Sequence, residues 1–184
     1  MDGTLTVAMH DFEGIRQTLG LPVGLPILES ISALPPEQAE LTRQRLNVLE
    51  LDLARQAQPQ PSAHELLRWL QKHGAQLAIL TRNSRQNAIE TLHACGLLAF
   101  FDETFILGRE SAPPKPSPAG IHQLIEQWHT SAITTVMVGD YLFDLQAGRQ
   151  AGTATVYLDV NGDDLWTDQV DVRVQSLREL LHLI

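Results

Sequence analysis

The sequence is poor in cysteine, in positive charge and in long apolar runs. Its one cysteine, Cys95, excludes an internal disulfide and is typical of a reducing compartment. Thirteen Lys and Arg face 22 Asp and Glu, so the net charge is −9 and no basic excess is available for a nucleic-acid backbone. No apolar run reaches the roughly 20 residues that span a membrane, and no signal-peptide pattern opens the sequence. We therefore expect a cytoplasmic protein with no nucleic-acid partner and no membrane partner, whose oligomeric state is left open.

The sequence does contain an alternation of two periodicities from about residue 60 onward. Segments with apolar residues at helical spacing alternate with short apolar runs of the kind that form buried parallel strands. The predicted helices cover residues 61–74, 85–95, 119–129, 142–152 and 176–184. The predicted strands cover residues 75–81, 103–107, 134–140 and 153–160. This order predicts an α/β fold with a doubly wound parallel sheet.

Residues 8–59 follow a different pattern. They carry helical spacing, for example at Leu46, Leu49 and Leu53, and contain no strand-like run. Prolines interrupt the segment, and QPQPS at 58–62 is typical of a linker. We therefore predict a discontinuous α/β core of residues 1–7 and 60–184, with a small all-helical cap of residues 8–59 inserted after the first turn.

Two acidic residues follow the predicted strand that contains VMVG. Ligands of open parallel sheets bind beyond the carboxyl ends of the strands, which is where Asp140 and Asp144 fall. Two carboxylates together with water suit a hard divalent cation such as Mg2+, which accepts few protein ligands. The alternative is structural: Asp140 caps the following helix, and Asp144 is a solvated charge favoured near the helix N-terminus.

Two further candidates follow strands or lie on loops of the predicted core. The Thr81 hydroxyl, together with the backbone N–H groups of Arg82 and Asn83 at a helix start, is suited to hold an anion. A helix cap or an ordinary strand residue is the alternative for Thr81. Lys115 lies in the proline-rich loop PPKPSP, which restricts its position. For Lys115 the alternative is a solvated surface lysine.

Other catalytic motifs are absent from the sequence. It contains no G-x-x-x-x-G-K-[ST] phosphate loop, no G-x-G-x-x-G, no H-E-x-x-H and no G-x-S-x-G. The histidines do not cluster at metal spacing, so we predict no zinc site. Cys95 falls in the helical pattern AIETLHACGLL without an identified base, and we interpret it as a structural thiol.

Four segments, taken in order, resemble the four motifs of the haloacid dehalogenase superfamily in its phosphatase branch. They are DGTLT, ILTRN, PPKPSP, and VGDYLFD followed by AGRQAGT. The helical insertion is similar to the small cap of phosphoglycolate-phosphatase-like and β-phosphoglucomutase-like members. The resemblance implies a Rossmann-like core and Mg2+-dependent hydrolysis of a small phosphomonoester through an aspartyl-phosphate intermediate. The implied partner is a small phosphorylated metabolite.

The resemblance also implies a role for each matching residue. Asp2 matches the general acid and base, Thr81 the hydroxyl that binds the transferring phosphoryl group, and Lys115 the cation that offsets its charge. The implied phosphate-binding set consists of Thr81, Arg82, Asn83 and Lys115. The implied cofactor is Mg2+, and its ligands are Asp140, Asp144 and the backbone carbonyl of Asp2.

The sequence departs from the family pattern at the first motif, D-x-D-G-T-L. The nucleophilic Asp would stand one residue before Met1, so the chain as written lacks it and is expected to be inactive. We expect that an internal methionine was taken as the start and that the native chain carries an upstream strand ending in Asp. The first alternative is a non-catalytic phosphate-binding or interaction protein with the same fold. The second is a phosphomutase, in which a sugar hydroxyl rather than water takes the phosphoryl group.

The predicted cap contains charged residues that could face a substrate. They are His10, Arg16, Arg43 and Arg45. Charged residues on helix faces are usually solvated, and we interpret these four in that way rather than as substrate contacts. The identity of the phosphomonoester is not predicted.

Overall fold

The computed structural model describes residues 1–8 and 11–184. Within these ranges the chain forms eight α-helices and five β-strands. The helices are α1 (Phe12–Leu19), α2 (Ile27–Ser32), α3 (Pro36–Ala54), α4 (Ala63–Lys72), α5 (Arg85–Ala94), α6 (Ala119–Gln127), α7 (Leu142–Ala151) and α8 (Leu177–Leu183). The strands are β1 (Ile79–Leu80), β2 (Ile106–Leu107), β3 (Val136–Gly139), β4 (Ala154–Leu158) and β5 (Val172–Val174). Across the described part of the chain, none of the helices has the length and apolar character that a membrane crossing requires.

The predicted helices from α4 onward are confirmed to within a few residues, because local signals fix several of their ends. Ser84 precedes α5 and accepts a hydrogen bond from the backbone N–H of Asn87 at 3.1 Å. Ser176 does the same for α8 by accepting from the N–H of Glu179 at 3.1 Å. Gly152 ends α7 with a φ of 75°, a conformation that favours glycine.

All strand pairs are parallel, and they form two sheets. β1 pairs with β2, whereas β3, β4 and β5 lie side by side in that order. The strand predicted at 75–81 forms only over Ile79–Leu80, and the one predicted at 103–107 begins as a short 3-10 turn, Glu103–Phe105. Asp102 stabilises that turn by accepting the N–H of Thr104 at 2.9 Å. β5 has no counterpart in the predictions, because three residues are too few to show an alternating pattern.

Helices cover both faces of the strands. Successive strand residues point to opposite faces, so Ile79 packs in a cluster with α4, α5 and α8, whereas Leu80 packs against α6 and α7. In β3, Val138 packs in the same cluster as Ile79, and Met137 packs in the same cluster as Leu80. The predicted doubly wound α/β core with parallel strands is therefore confirmed. Cys95 is buried in the first cluster, as expected of a structural thiol.

Helices α1, α2 and α3 share a hydrophobic cluster of their own. It is built from Ile15, Leu19, Leu21, Ile31, Ala39 and Leu46. α3 also packs against α5, which places the three helices beside the sheet edge where β1 ends. These helices fall in the segment predicted as a cap, while the division into a core of residues 1–7 and 60–184 and a cap of residues 8–59 stays a prediction.

Candidate active site

A cavity of about 370 Å³ lies where β1 and β3 end, between the sheet edge and the first three helices. All the residues predicted for the site line this cavity: Asp2, Thr81, Arg82, Asn83, Lys115, Asp140 and Asp144. They meet because the carboxyl ends of parallel strands lie at one edge of the sheet. The structure thus brings the predicted residues together, and their individual roles stay predictions.

The first turn of the chain reaches the cavity beside Asp140. Thr4 Oγ1 donates a hydrogen bond to Asp140 Oδ1 at 2.6 Å. The Asp2 carboxylate has other partners: it accepts hydrogen bonds from Asn83 Nδ2 at 2.6 Å and from Thr6 Oγ1 at 3.3 Å. A hydroxyl therefore orients Asp140, and an amide orients Asp2. Thr4 was not among the predicted site residues, although it belongs to the DGTLT motif.

Gly3 allows this turn to approach Asp140. Its φ is 76°, and a Cβ atom added there would lie 2.1 Å from Asp140 Oδ2. Gly74 is a matched control, because its φ is 77° and an added Cβ would meet nothing within 4 Å. Both substitutions by alanine carry left-handed strain, but only Gly3→Ala overlaps a carboxylate. We expect Gly3→Ala to lower the free energy of unfolding by about 1 to 3 kcal/mol more than Gly74→Ala. Urea unfolding measures both costs, and equal values would contradict this explanation.

Lys115 and Asp144 form a buried ion pair. Lys115 Nζ lies 2.5 Å from Asp144 Oδ1 and donates a second hydrogen bond to the Leu80 carbonyl at 2.7 Å. Asp144 Oδ2 accepts the backbone N–H of Tyr141 at 3.1 Å. Lys115 and Asp144 are each 6% exposed. The alternative interpretation as solvated charges is therefore wrong for both, because the proline-rich loop buries the lysine against the end of β1.

The carboxyl of Asp140 has a raised pKa. Burial is the largest cause, and the charge of Asp144 raises this pKa further. The N-terminal ammonium, the hydrogen bond from Thr4 and the charge of Lys115 act in the opposite direction. Tyr141 rather than Asp140 is the N-cap of α7, so the capping alternative is wrong. Two neighbouring carboxylates in a desolvated position favour a bound cation.

Thr81 lies buried at the end of β1, and its Oγ1 accepts the backbone N–H of Asn83 at 3.1 Å. α5 begins only at Arg85, with Ser84 as its N-cap. The backbone N–H groups of Arg82 and Asn83 therefore precede the helix instead of forming its first turn. This corrects the predicted anion site at a helix start, because the chain makes a further turn between β1 and α5.

The Arg82 side chain connects the sheet edge with the helical segment. Its Nη2 lies 2.7 Å from both carboxylate oxygens of Glu29 in α2, and its Nη1 donates to the Lys115 carbonyl. The guanidinium carbon lies 4.7 Å from the centre of the Phe143 ring, within the range of a cation–π contact. Glu29 was not among the predicted residues, since a pair separated by 53 positions leaves no local pattern.

The helical side of the cavity combines apolar side chains with Arg16 and Glu50. Phe12, Ile27 and Leu28 line it, and Arg16 lies beside them. Arg16 Nε donates a hydrogen bond to the Leu25 carbonyl at 3.0 Å. The side chain of Arg16 is 18% exposed, so the interpretation as a solvated charge is wrong for this residue.

Of the other charged residues named for the predicted cap, Arg43 and Arg45 do not line this cavity. Arg43 is 45% exposed and faces Glu40 at 3.6 Å. Arg45 is also exposed, and it donates a hydrogen bond to the Thr18 carbonyl at 2.8 Å. The interpretation as surface charges is confirmed for Arg43 and Arg45. His10 lies outside the described residues.

Comparisons with known proteins agree with this architecture. A sequence model of haloacid dehalogenase-like hydrolases matches residues 12–158. An uncharacterized hydrolase of Saccharomyces cerevisiae is 34% identical over 194 residues, which cover 100% of this chain and 88% of that protein. Phosphoglycolate phosphatase of Pseudomonas savastanoi pv. phaseolicola is 28% identical over 209 residues, 98% of this chain and 76% of that protein. The crystal structure of CbbY from Rhodobacter sphaeroides in complex with phosphate has a TM-score of 0.74 at 17% identity, over 98% of this chain and 93% of that one. The chain therefore belongs to the haloacid dehalogenase-like hydrolase family.

Proposed function

We propose that the protein hydrolyses a small phosphomonoester in a Mg2+-dependent reaction. The observation that supports this proposal is the convergence of a buried lysine, a strand-end threonine and three aspartates on one cavity. A relative described above, phosphoglycolate phosphatase, is named for a substrate of this class. The cavity volume of about 370 Å³ lies near the lower end of the range typical of ligand pockets, which favours a small metabolite.

The donor set fits Mg2+. This cation prefers oxygen ligands, keeps several waters and is usually held by one or two carboxylates. Asp140 and Asp144 would supply the carboxylates, and Asp2 would supply its backbone carbonyl. In residues 1–8 and 11–184 no group of three or more His, Cys, Asp or Glu is placed to hold a metal. When bound, Mg2+ would supply positive charge that stabilises the phosphoryl oxygens.

Lys115 and Thr81 would hold the phosphoryl group. Lys115 brings a buried positive charge to the cavity, where an anion is stabilised more strongly than in bulk water. The Thr81 hydroxyl oxygen accepts a hydrogen bond from the backbone N–H of Asn83. Among the residues that the structure describes, the hydroxyl donates to no acceptor. Its proton is therefore available for a phosphoryl oxygen of the substrate.

Asp2 would act as the general acid and then as the general base. Its carboxylate lines the cavity and accepts a hydrogen bond from Asn83 Nδ2 at 2.6 Å, which fixes its orientation. In this role Asp2 would donate a proton to the leaving group and afterwards accept one from the attacking water. Asn83 would thus contribute by positioning Asp2, in addition to the phosphate-binding role that the resemblance implies.

We also propose that residues 8–59 form a cap over this site and that residues 1–7 and 60–184 form the core. The separate hydrophobic cluster of α1, α2 and α3 supports this division. The apolar wall of Phe12, Ile27 and Leu28 would then contact the part of the substrate beyond the phosphate. The Arg82–Glu29 ion pair would connect the phosphate side of the site with the cap.

The test of this proposal is turnover of p-nitrophenyl phosphate in the presence of Mg2+. The chain is assayed as written and with an N-terminal extension of one strand that ends in Asp, the position that the family resemblance assigns to the nucleophile. We expect the extended form to hydrolyse the substrate and the form as written to be slower by at least roughly 1,000-fold. Asp140→Asn in the extended form is the control, and it should reduce activity together with the affinity for Mg2+.

The two alternatives give different results in the same assays. If neither folded form hydrolyses p-nitrophenyl phosphate but inorganic phosphate still raises the melting temperature, the result would favour a non-catalytic phosphate-binding protein. Transfer of the phosphoryl group to an added sugar, detected by phosphorus NMR, would favour a phosphomutase. Full activity of the Asp140→Asn form would contradict the metal assignment.

A further inference from the structure

The site cavity has two chemically different ends. One end carries the residues proposed to hold the phosphoryl group and Mg2+, and the other end is lined by the helical segment and by the start of α7. Apart from Arg16, Glu50 and Tyr141, the described residues that line this second end carry no side-chain oxygen or nitrogen. A sugar would bring several hydroxyl groups there, and buried hydroxyl groups without hydrogen-bond partners are costly. The second end therefore suits a leaving group with few polar atoms.

The two charged side chains at this end are already paired within the protein. Arg16 Nη1 lies 3.0 Å from a carboxylate oxygen of Glu13, and Arg16 Nε donates to the Leu25 carbonyl. The Glu50 carboxylate accepts hydrogen bonds from Arg109 at 3.1 and 2.9 Å. A leaving group with its own carboxylate or second phosphate would have to compete with Glu13 for Arg16. The cavity thus favours a leaving group without charge.

Aromatic rings form the wall at the start of α7. Tyr141 follows Asp140 directly, lines the cavity and is 51% exposed. Its ring centre lies 5.1 Å from that of Phe143 and 5.1 Å from that of Trp166, both in edge-on geometry. Trp166 in turn contacts the Tyr157 ring at 5.3 Å. These contacts fix the orientation of the Tyr141 ring before a ligand binds, which lowers the entropic cost of binding against it.

The helical segment presents apolar side chains to the same cavity. Phe12 of α1 is 55% exposed and Leu25 is 52% exposed, and both line the cavity. Large apolar side chains that remain accessible around a concave site are typical of a ligand-binding surface. The cavity lies between the sheet edge and these helices, so a bound ring would have Tyr141 on the sheet side and Phe12 on the helical side.

We infer that the substrate is an aryl phosphomonoester, whose leaving group is an uncharged aromatic alcohol, and that Phe12 and Tyr141 determine this specificity by contacting the ring. The inference rests on the proposed function, because it concerns the part of the substrate beyond the phosphoryl group. A ring of this kind buries apolar surface and matches the edge and face geometry that aromatic side chains prefer.

The experiment measures the binding of three phosphonates to the full chain by isothermal titration calorimetry in the presence of Mg2+. Phosphonates have a carbon–phosphorus bond in place of the ester, so binding is measured without turnover. Benzylphosphonate carries a phenyl ring, methylphosphonate carries no ring, and phosphonoacetate carries a carboxylate. We expect the Kd of benzylphosphonate to be lower than that of methylphosphonate by about 10-fold or more. Phosphonoacetate should bind no more tightly than methylphosphonate.

Variants locate the bound ring through the ratio of the methylphosphonate Kd to the benzylphosphonate Kd. Phe12→Ala and Tyr141→Ala should each lower this ratio by about 3- to 10-fold, because each removes one ring contact. Ile133→Ala is the matched control, since Ile133 is 88% exposed and does not line the cavity. It should leave the ratio unchanged. Binding of methylphosphonate by each variant shows that the variant is folded.

Three results would overturn the inference. Equal Kd values for benzylphosphonate and methylphosphonate would do so while leaving the proposed phosphatase function intact. A benzyl preference that persists in both Phe12→Ala and Tyr141→Ala would place the ring elsewhere on the protein. Tighter binding of phosphonoacetate than of benzylphosphonate would show that the leaving group is charged. If none of the three phosphonates binds, the phosphate site itself is contradicted, and the proposed function fails together with this inference.

Discussion

Replacing Lys115 by methionine is expected to lower the free energy of unfolding by about 3 to 5 kcal/mol. The side chains of Lys115 and Asp144 are 7% and 8% exposed, so the variant leaves a carboxylate charge in a desolvated position. One backbone N–H, that of Tyr141, would still donate to this carboxylate. The Leu80 carbonyl would also lose its lysine donor. Such a loss is a large share of the roughly 5 to 15 kcal/mol that stabilises a typical domain.

Urea unfolding in the presence of a chelator measures this cost without a contribution from bound metal. Arg55→Met is the control, because Arg55 and Asp52 form an ion pair in which both side chains are 64% exposed. That variant should cost less than about 1 kcal/mol. The double variant Lys115→Met/Asp144→Leu removes both charges and should recover most of the stability. A Lys115→Met variant as stable as Arg55→Met would show that the buried pair does not act as argued.

The sequence predicts the helices well and the strands less well, for a physical reason. A helix satisfies its own backbone and carries local end signals, as Ser84 and Ser176 do for α5 and α8. A strand exists only where a neighbouring strand pairs with it. The apolar run at 75–81 therefore becomes strand only at Ile79–Leu80, where β2 is adjacent. Its other edge pairs with none of the described strands, and no property of the run itself could reveal this.

For the candidate site, the sequence predicts which residues lie close together. It does not predict which of them are buried or which form ion pairs. The convergence of Thr81 and Asp140 follows from strand order, since both stand directly after parallel strands. The burial of Lys115 depends on how a loop folds onto a strand end, and its partner Asp144 is 29 positions away. Both residue types are usually exposed, so the solvated interpretation is a natural default from sequence. Long-range ion pairs of this kind have no local signature.

Replacing Arg109 by methionine is expected to weaken the attachment of α3 to the core at a cost of about 3 to 5 kcal/mol. Arg109 pairs through both Nη atoms with the two carboxylate oxygens of Glu50, at 3.1 and 2.9 Å, and it also donates to Asn47. Glu50 lies in α3 and is 6% exposed, so the variant leaves a buried charge without this guanidinium. A separate link from α5 to α3, the hydrogen bond from Asn87 Nδ2 to the Glu50 carbonyl at 2.7 Å, remains.

The double variant Arg109→Met/Glu50→Gln separates the ion pair from simple packing. Because glutamine is neutral, the double variant should regain about 1 to 3 kcal/mol of the loss.

Hydrogen exchange on the same variants tests the proposed division of the chain into a cap and a core. If residues 8–59 are a cap that opens by itself, Arg109→Met should speed exchange in α3 while β3 and β4 keep their protection, since local openings cost less than global unfolding. Equal acceleration in α3 and β4 would mean that these helices and the sheet unfold as one unit, which contradicts a separate cap.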